Sequence, residues 1–168
     1  MWGRQAKTGE PVAQEIEHKF LVRNDGWRET AGPGEEIRQG YLAGGPRSSV
    51  RIRRASDGAW LNIKGATLGV SRQEFEYPIP VEDAERMLES LCEGPLIEKT
   101  RFRVAHGHHV WEVDVFHGEN AGLVVAELEL GREGEPFERP SWVGEEVSHD
   151  PRYYNVSLVR HPYREWRS

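Results

Sequence analysis

Along most of this chain apolar and polar side chains alternate with period two, and the polar members are charged. Residues 15–19 read Glu15-Ile16-Glu17-His18-Lys19. In an extended strand successive side chains face opposite ways. Glu15, Glu17 and Lys19 therefore share one face, and Ile16 and Phe20 share the other. Arg51 and Arg53 flank Ile52, Asn62 and Lys64 flank Ile63, and Glu74 and Glu76 flank Phe75. Lys99 and Arg101 flank Thr100, Glu112 and Asp114 flank Val113, and Glu127 and Glu129 flank Leu128. The alternation predicts eight strands, at about 14–23, 36–43, 48–55, 59–65, 71–79, 96–105, 108–117 and 122–131. Asp57-Gly58 reads as a tight hairpin turn, because both residues tolerate positive φ. Gly44-Gly45-Pro46, Gly107 and Gly118 mark other joints.

A charged sheet face is ordinarily a solvated one. Here the pattern repeats in phase from segment to segment, and acidic and basic segments both occur along it. That is the pattern of a lined polar cavity, in which paired carboxylates can hold a metal and an ammonium can hold an anion. Arg38 and Arg103 are read as in phase with this inner set.

Helical spacing is clearest over 81–92, where Val81, Ala84, Leu88 and Leu91 form one apolar stripe. Glu82, Asp83 and Glu85 sit in its first turns, where the helix dipole favours anions, and Gly94-Pro95 stops it. A short helix is expected near Trp27. Asp150-Pro151 reads as an N-cap followed by proline at the first helical position, giving a helix over 151–159 with Tyr154 and Leu158 on one side. Residues 1–13 are polar, contain Gly3, Gly9 and Pro11, and read as a loose arm.

A length of 168 residues fits one domain. Only 37% of residues are hydrophobic and 30% are charged. Such a low apolar fraction suits a barrel lined with charge, its core lying between the wall and the helices that cover it. The net charge of −6 argues against non-specific nucleic-acid binding. Cys92 is the single cysteine, which excludes an intramolecular disulfide, and its helical setting reads as a small buried apolar residue. No apolar run approaches the ~18 residues that span a bilayer, and Met1-Trp2-Gly3-Arg4 lacks an apolar signal core. The expected compartment is the cytoplasm, where the glycosylation sequon Asn155-Val156-Ser157 has no meaning. His106, His108 and His109 fall at a hairpin tip and read as a solvated turn rather than a metal site. No phosphate-binding G-x-x-x-x-G-K-[ST] loop is present.

The ordered set Glu15/Glu17/Lys19, Gln39-Gly40-Tyr41-Leu42, Arg51/Arg53, Lys64, Glu74/Glu76, Lys99/Arg101, Glu112/Asp114 and Glu127/Glu129 resembles the CYTH, or triphosphate tunnel metalloenzyme, family. It spans about residues 14–160 in the family's order. The E-x-E-x-K motif alone is moderately specific, whereas the ordered set is highly specific. His18 stands where the family's typical first strand carries Arg, at an outward-facing position. The resemblance implies a mainly β fold in which residues 14–168 form one domain. Eight antiparallel strands would close into a tunnel with charged walls and a few covering helices. The segment near 151–159 would plug or flank one end.

The implied activity is hydrolysis of inorganic tripolyphosphate to pyrophosphate and phosphate, with Mg²⁺ or Mn²⁺. By the resemblance, Glu15, Glu17, Glu127 and Glu129 would hold one metal. Glu74, Glu76, Glu112 and Asp114 would complete the acidic side and a second metal site. Lys19, Arg51, Arg53, Lys64, Lys99 and Arg101 form the basic set expected to bind the triphosphate, with arginine suited to bidentate phosphate contacts. Lys19, Tyr41 and Arg53 are the expected catalytic groups, Tyr41 touching the substrate or its lysine partner. The expected partner is a small anionic substrate, not nucleic acid or membrane, and the chain would be a monomer or homodimer.

Three alternatives stand beside this reading. Class IV adenylate cyclases share the tunnel but carry an HFF-type lead, where this chain has Pro11-Val12-Ala13-Gln14. Thiamine triphosphatase is the second. An inner face that is nearly all charge offers a base or thiazolium ring little to stack on, which favours tripolyphosphate over both. The third is a non-catalytic polyphosphate-binding module, against which the metal-type carboxylates argue.

Overall fold

The computed structural model describes residues 14–66 and 69–167; the expected loose arm at 1–13 lies outside the described residues. Five strands come first: β1 (Gln14–Val22), β2 (Glu35–Gly44), β3 (Ser48–Ala55), β4 (Gly58–Gly65) and β5 (Ser71–Ile79). Helix α1 (Val81–Ser90) follows, then β6 (Glu93–His106), β7 (His109–Phe116) and β8 (Val124–Leu130). A short β9 (Val143–Glu146) and helix α2 (Asn155–Arg160) complete the chain's regular elements among the described residues. Every pairing between strands is antiparallel, in the order β5-β4-β3-β2-β6-β7-β8-β1-β9.

Pairing of β1 with β5 closes the eight-stranded barrel through Gln14↔Gln73, Glu15↔Arg72 and Ile16↔Ser71. The rest of that edge of β1 is taken by β9, at Phe20↔Glu146 and Val22↔Val143. Strand β9 is not predicted by the alternation, because four residues are too few to show a period. Its role is to cover the edge that β5 leaves open, which would otherwise expose unpaired backbone groups.

The apolar partners of the charged alternation point outward. Ile16 and Phe20 of β1 join Trp27, Trp111, Val113, Leu128, Trp142 and Val143 in one buried cluster. A short 3-10 turn, Asp25–Glu29, brings in Trp27, and Asn24 caps it by accepting from the Gly26 amide at 2.9 Å. On another side α1 lays Ala84 and Leu88 over Ile52 and Ala59. Gly40 faces this layer, and a Cβ there would come within 2.8 Å of the Cys92 Cβ and of Leu96. Cys92 thus fills space behind β2, and burial raises its thiol pKa away from reactivity.

A third cluster lies inside the barrel. Leu158 and Val159 of α2 meet Tyr41, Ile97, Phe116, Leu123 and Val125. This cluster plugs one end of the tunnel. The expected helix over 151–159 is divided: Pro151–Tyr153 form a 3-10 turn capped by Asp150, and α2 starts only at Asn155. Tyr154 is extended between them, with ψ 136°, so it leaves the helix axis and turns toward the tunnel.

The β3–β4 turn is at Ser56-Asp57, one residue before the expected Asp57-Gly58, since Ala55 pairs with Gly58. Gly58 does not have a positive φ, and space is tight there. A Cβ there would lie 3.1 Å from the ring of Trp60. Among the described residues no helix is long and apolar enough to cross a membrane.

Candidate active site

The charged faces converge on a cavity of about 320 Å³ inside the barrel. The order of strands groups most of the charges by sign, with Lys19, Arg72 and Glu35 as exceptions. Strands β3, β2 and β6 are neighbours and present Arg51, Arg53, Gln39, Tyr41, Lys99 and Arg101. Strands β7, β8, β1 and β5 are neighbours through the closing pair and present Glu112, Glu127, Glu129, Glu15, Glu17, Glu74 and Glu76. In this order β2 stands four places from β1 either way round, so the cationic wall faces the acidic one.

Most carboxylates are already held. Glu15 accepts from Lys64 at 3.0 and 3.1 Å and from Arg72 Nε at 3.2 Å. Burial alone would raise the Glu15 carboxyl, but Lys64 and Arg72 overcome it and bring it down to about 2. Asn62 Nδ2 donates to Glu74 at 3.0 Å and to Glu76 at 2.7 Å. Arg53 approaches Glu76 at 3.5 Å while lying over the Trp60 ring at 5.2 Å. Glu127 takes Lys19 at 3.2 Å and Arg101 at 2.8 Å. Burial opposes ionisation there, yet Lys19 and Arg101 hold it well below the usual carboxylate range.

Asp114 is the most enclosed of the set, with 0% of its side chain exposed. It receives Lys99 at 2.7 Å and both Nε and a terminal nitrogen of Arg101 at 2.7 and 2.8 Å. Arg101 also pairs with Glu112. Lys99 and Arg101 are therefore held by charge-assisted hydrogen bonds where they line the cavity.

Two carboxylates are left over. Glu17 of β1 is the direct cross-strand partner of Glu129 of β8. Among the described residues neither accepts a hydrogen bond from, or pairs within 4 Å with, any cation. Burial, then the charges of Glu127 and Glu15, push the Glu17 carboxyl up to about 8. Glu129 is raised by burial and by Glu15, Glu74 and Glu112. No three His, Cys, Asp or Glu side chains among the described residues are grouped as a ready-made metal cage. A pair of free hard oxygen donors still suits Mg²⁺ or Mn²⁺, which take one or two carboxylates and complete their shell with water and substrate phosphate.

The opposite wall has its own unfilled groups. Arg51 is buried, has no ion-pair partner among the described residues, and its Nε is unpartnered. The Arg53 Nε and both amide atoms of Gln39 are also buried without a partner. Burial and the nearby Arg51 lower the Arg53 pKa. Burial raises the Tyr41 hydroxyl pKa, with Arg51 beside it opposing that rise.

All the sequence-predicted charged residues except Asp114 line the cavity; Asp114 is just behind it. Arg103 reaches only the outer rim, 58% exposed and paired with Glu35 at 3.2 Å. Arg38 is a correction. It is on the outer face, bonded to Glu85 of α1 at 3.0 Å. Gln39 and Tyr41 are the inward members of β2, so the intervening even position must point out. His18 faces outward as expected and contacts Glu146 at 2.6 Å. The His-rich tip is split between two acidic partners, Glu138 at 3.7 Å and Glu135 at 2.9 Å.

Several lining residues escaped the sequence reading, among them Arg72, Trp60, Tyr154 and Asn155. Arg72 begins β5 ahead of its alternating pair and is brought in by the barrel closure. Trp60 is in phase with Asn62 and Lys64, a signal that was available. Tyr154 and Asn155 enter from the plug, Asn155 accepting from Lys99 at 3.4 Å. With Ile37, Ala55 and Val156 they correct the picture of an almost wholly charged lining.

The CYTH domain family matches residues 13–163. The chain belongs to the CYTH family. An inorganic triphosphatase of Acetivibrio thermocellus is 46% identical to it over 156 residues, covering 93% of this chain and 99% of that protein. One from Nitrosomonas europaea is 38% identical, covering 86% and 96%. The crystal structure of the inorganic triphosphatase NE1496 superposes with a TM-score of 0.61 at 34% identity, covering 86% of this chain and 97% of that one. CYTH membership implies a divalent metal, and the free Glu17–Glu129 pair is chemically suited to one.

Proposed function

We propose that this CYTH protein is a hydrolase that cleaves inorganic tripolyphosphate to pyrophosphate and orthophosphate inside the tunnel, using Mg²⁺ or Mn²⁺. The observation that carries the reading is the division of one closed cavity into an acidic and a cationic wall. Two related proteins named inorganic triphosphatase support it.

Glu17 and Glu129 are the primary metal ligands in this reading, because their charge is uncompensated. Glu15, Glu74, Glu76, Glu112 and Glu127 surround them, and Asp114 acts mainly as the anchor of Lys99 and Arg101. A divalent cation, when bound, supplies neutralisation of phosphate-oxygen charge and makes water more acidic. Arg51, Arg53, Lys99 and Arg101 bind and straighten the phosphate chain along the cationic wall, and Lys64 joins them from β4, where it holds Glu15. Lys19 is held at the acidic wall by Glu127 and by the Tyr153 carbonyl at 3.2 Å, from which it reaches a transferring phosphoryl group. Tyr41 and Arg53 orient that group. Water attacks the terminal phosphorus, the P–O bond to the bridging oxygen breaks, and pyrophosphate leaves with the bonding pair. The cations are pre-aligned by buried carboxylates, so little reorganisation accompanies charge development.

Phosphate release from tripolyphosphate and from ATP, with Mg²⁺ and with EDTA, tests the proposal. The expected kcat/KM favours tripolyphosphate by at least ~10²-fold, because the binding groups are overwhelmingly phosphate-directed. Activity in EDTA, equal turnover of ATP, or a cyclic nucleotide product would overturn it.

A further inference from the structure

We propose that Gln39 is a substrate-binding residue of the tunnel, its amide forming a hydrogen bond to the phosphate chain beside Arg51 and Arg53. The inference rests on the triphosphatase reading and extends it to a neutral side chain.

Gln39 has 0% of its surface exposed, and neither amide atom has a partner among the described residues. It lines the cavity and stands directly across from Arg53 in the β2–β3 ladder, next to the Tyr41↔Arg51 pair. The other inward amides differ in this respect. Asn62 bridges Glu74 and Glu76, and Asn155 accepts from Lys99. A buried amide with both ends free is costly, so its position is explained by what the cavity holds.

The local chemistry selects the occupant. The β2–β3 register sets Gln39 across from Arg53 and next to the Tyr41↔Arg51 pair, and the Nε atoms of both arginines are likewise buried without a partner among the described residues. A neutral amide beside two such guanidinium groups suits a phosphate oxygen on its donor end. The acceptor end would repel a second anionic oxygen, so it takes a hydrogen from water beside the chain. A carboxylate at this position would meet the phosphate with like charge. A neutral amide supplies polarity without that repulsion.

Gln39→Met and Gln39→Glu test this by steady-state hydrolysis of tripolyphosphate and by thermal melting with and without tripolyphosphate. Gln39→Met removes both polar ends at similar volume. Its kcat/KM is expected to fall about tenfold to a hundredfold, the loss typical of a hydrogen bond to a charged group. Its ligand-free Tm should stay level or rise, and the Tm gain from tripolyphosphate should shrink. Gln39→Glu should melt no lower without ligand, since Arg51 and Arg53 are near, yet lose more activity than Gln39→Met. A Gln39→Met variant within about twofold of wild type in kcat/KM, or with an undiminished tripolyphosphate-induced Tm gain, overturns the inference while leaving the triphosphatase reading standing. A wild-type protein that neither binds nor cleaves tripolyphosphate overturns both.

Discussion

Glu17 and Glu129 stand directly opposite each other on β1 and β8, whereas Glu15, Glu74, Glu76, Glu112, Asp114 and Glu127 each have a cation or amide partner. Glu17 is half-buried and Glu129 exposed, and two neighbouring carboxylates without compensation still repel each other in the empty protein. Glu17→Gln should therefore raise the metal-free Tm or leave it unchanged. With saturating Mg²⁺ the same variant should lose at least ~10²-fold in kcat, in the range seen when a main electrostatic group is removed. Melting curves and phosphate release measured on one preparation decide it. A lower metal-free Tm with normal turnover would assign Glu17 to the fold instead.

The proton on Glu17 gives a pH signature. Its carboxyl lies near 8 in the folded protein against an ordinary 4.5. A raised folded value stabilises at low pH, and that contribution is lost as pH rises through about 8. Metal-free stability should thus decline from pH 6.5 to 9, and more weakly in Glu17→Gln. Below pH 8 a divalent cation must displace the proton, so Mg²⁺ affinity should climb by up to about tenfold per pH unit and then level off. Titrations that show flat affinity across this window would contradict the assignment.

Glu15 has the opposite sign. Lys64 and Arg72 bring its carboxyl to about 2, so its contribution is present above pH 4.5 and is lost as pH falls toward 2. Arg72→Ala should lower stability near neutral pH and flatten its loss in acid, read as a Tm deficit that is largest near neutral pH and narrows under acid.

Among the described residues Arg51 has no anionic partner to lose. Arg51→Ala should raise KM for tripolyphosphate by about tenfold or more, as loss of a charged hydrogen bond does, and leave the ligand-free Tm level or higher. A drop of many degrees without ligand would show that the guanidinium supports the barrel.

Asp114→Ala should behave in the reverse way. It strands Lys99 and Arg101, both buried, without their shared carboxylate. Breaking a buried ion network from one side costs on the order of 3–5 kcal/mol, which denaturant melts would resolve, and excess Mg²⁺ should not rescue it. Rescue by metal would instead identify Asp114 as a ligand.

The alternation of charge along Glu15-Ile16-Glu17 and its repeats determined, by itself, that the chain builds strands sharing one charged face, and the resemblance carried by the ordered set added the closed tunnel. A period of two is a local property of extended backbone, so it can be read without knowing any partner. The α1 stripe and the Trp27 turn are local in the same sense. Other features depended on contacts between distant residues. Strand order alone sets the cationic β3, β2 and β6 against the acidic β7, β8, β1 and β5. Only cross-strand register shows that Glu127 and Asp114 are held by Lys19, Lys99 and Arg101 while Glu17 faces Glu129. Arg72 reaches the tunnel because β5 closes on β1, and Tyr154 and Asn155 because the chain's end folds back as a plug. Spacing states which face a side chain occupies, whereas charge compensation depends on what stands across from it. That is why the carboxylates were legible as a set, and why the two still free to bind were distinguishable only in the closed barrel.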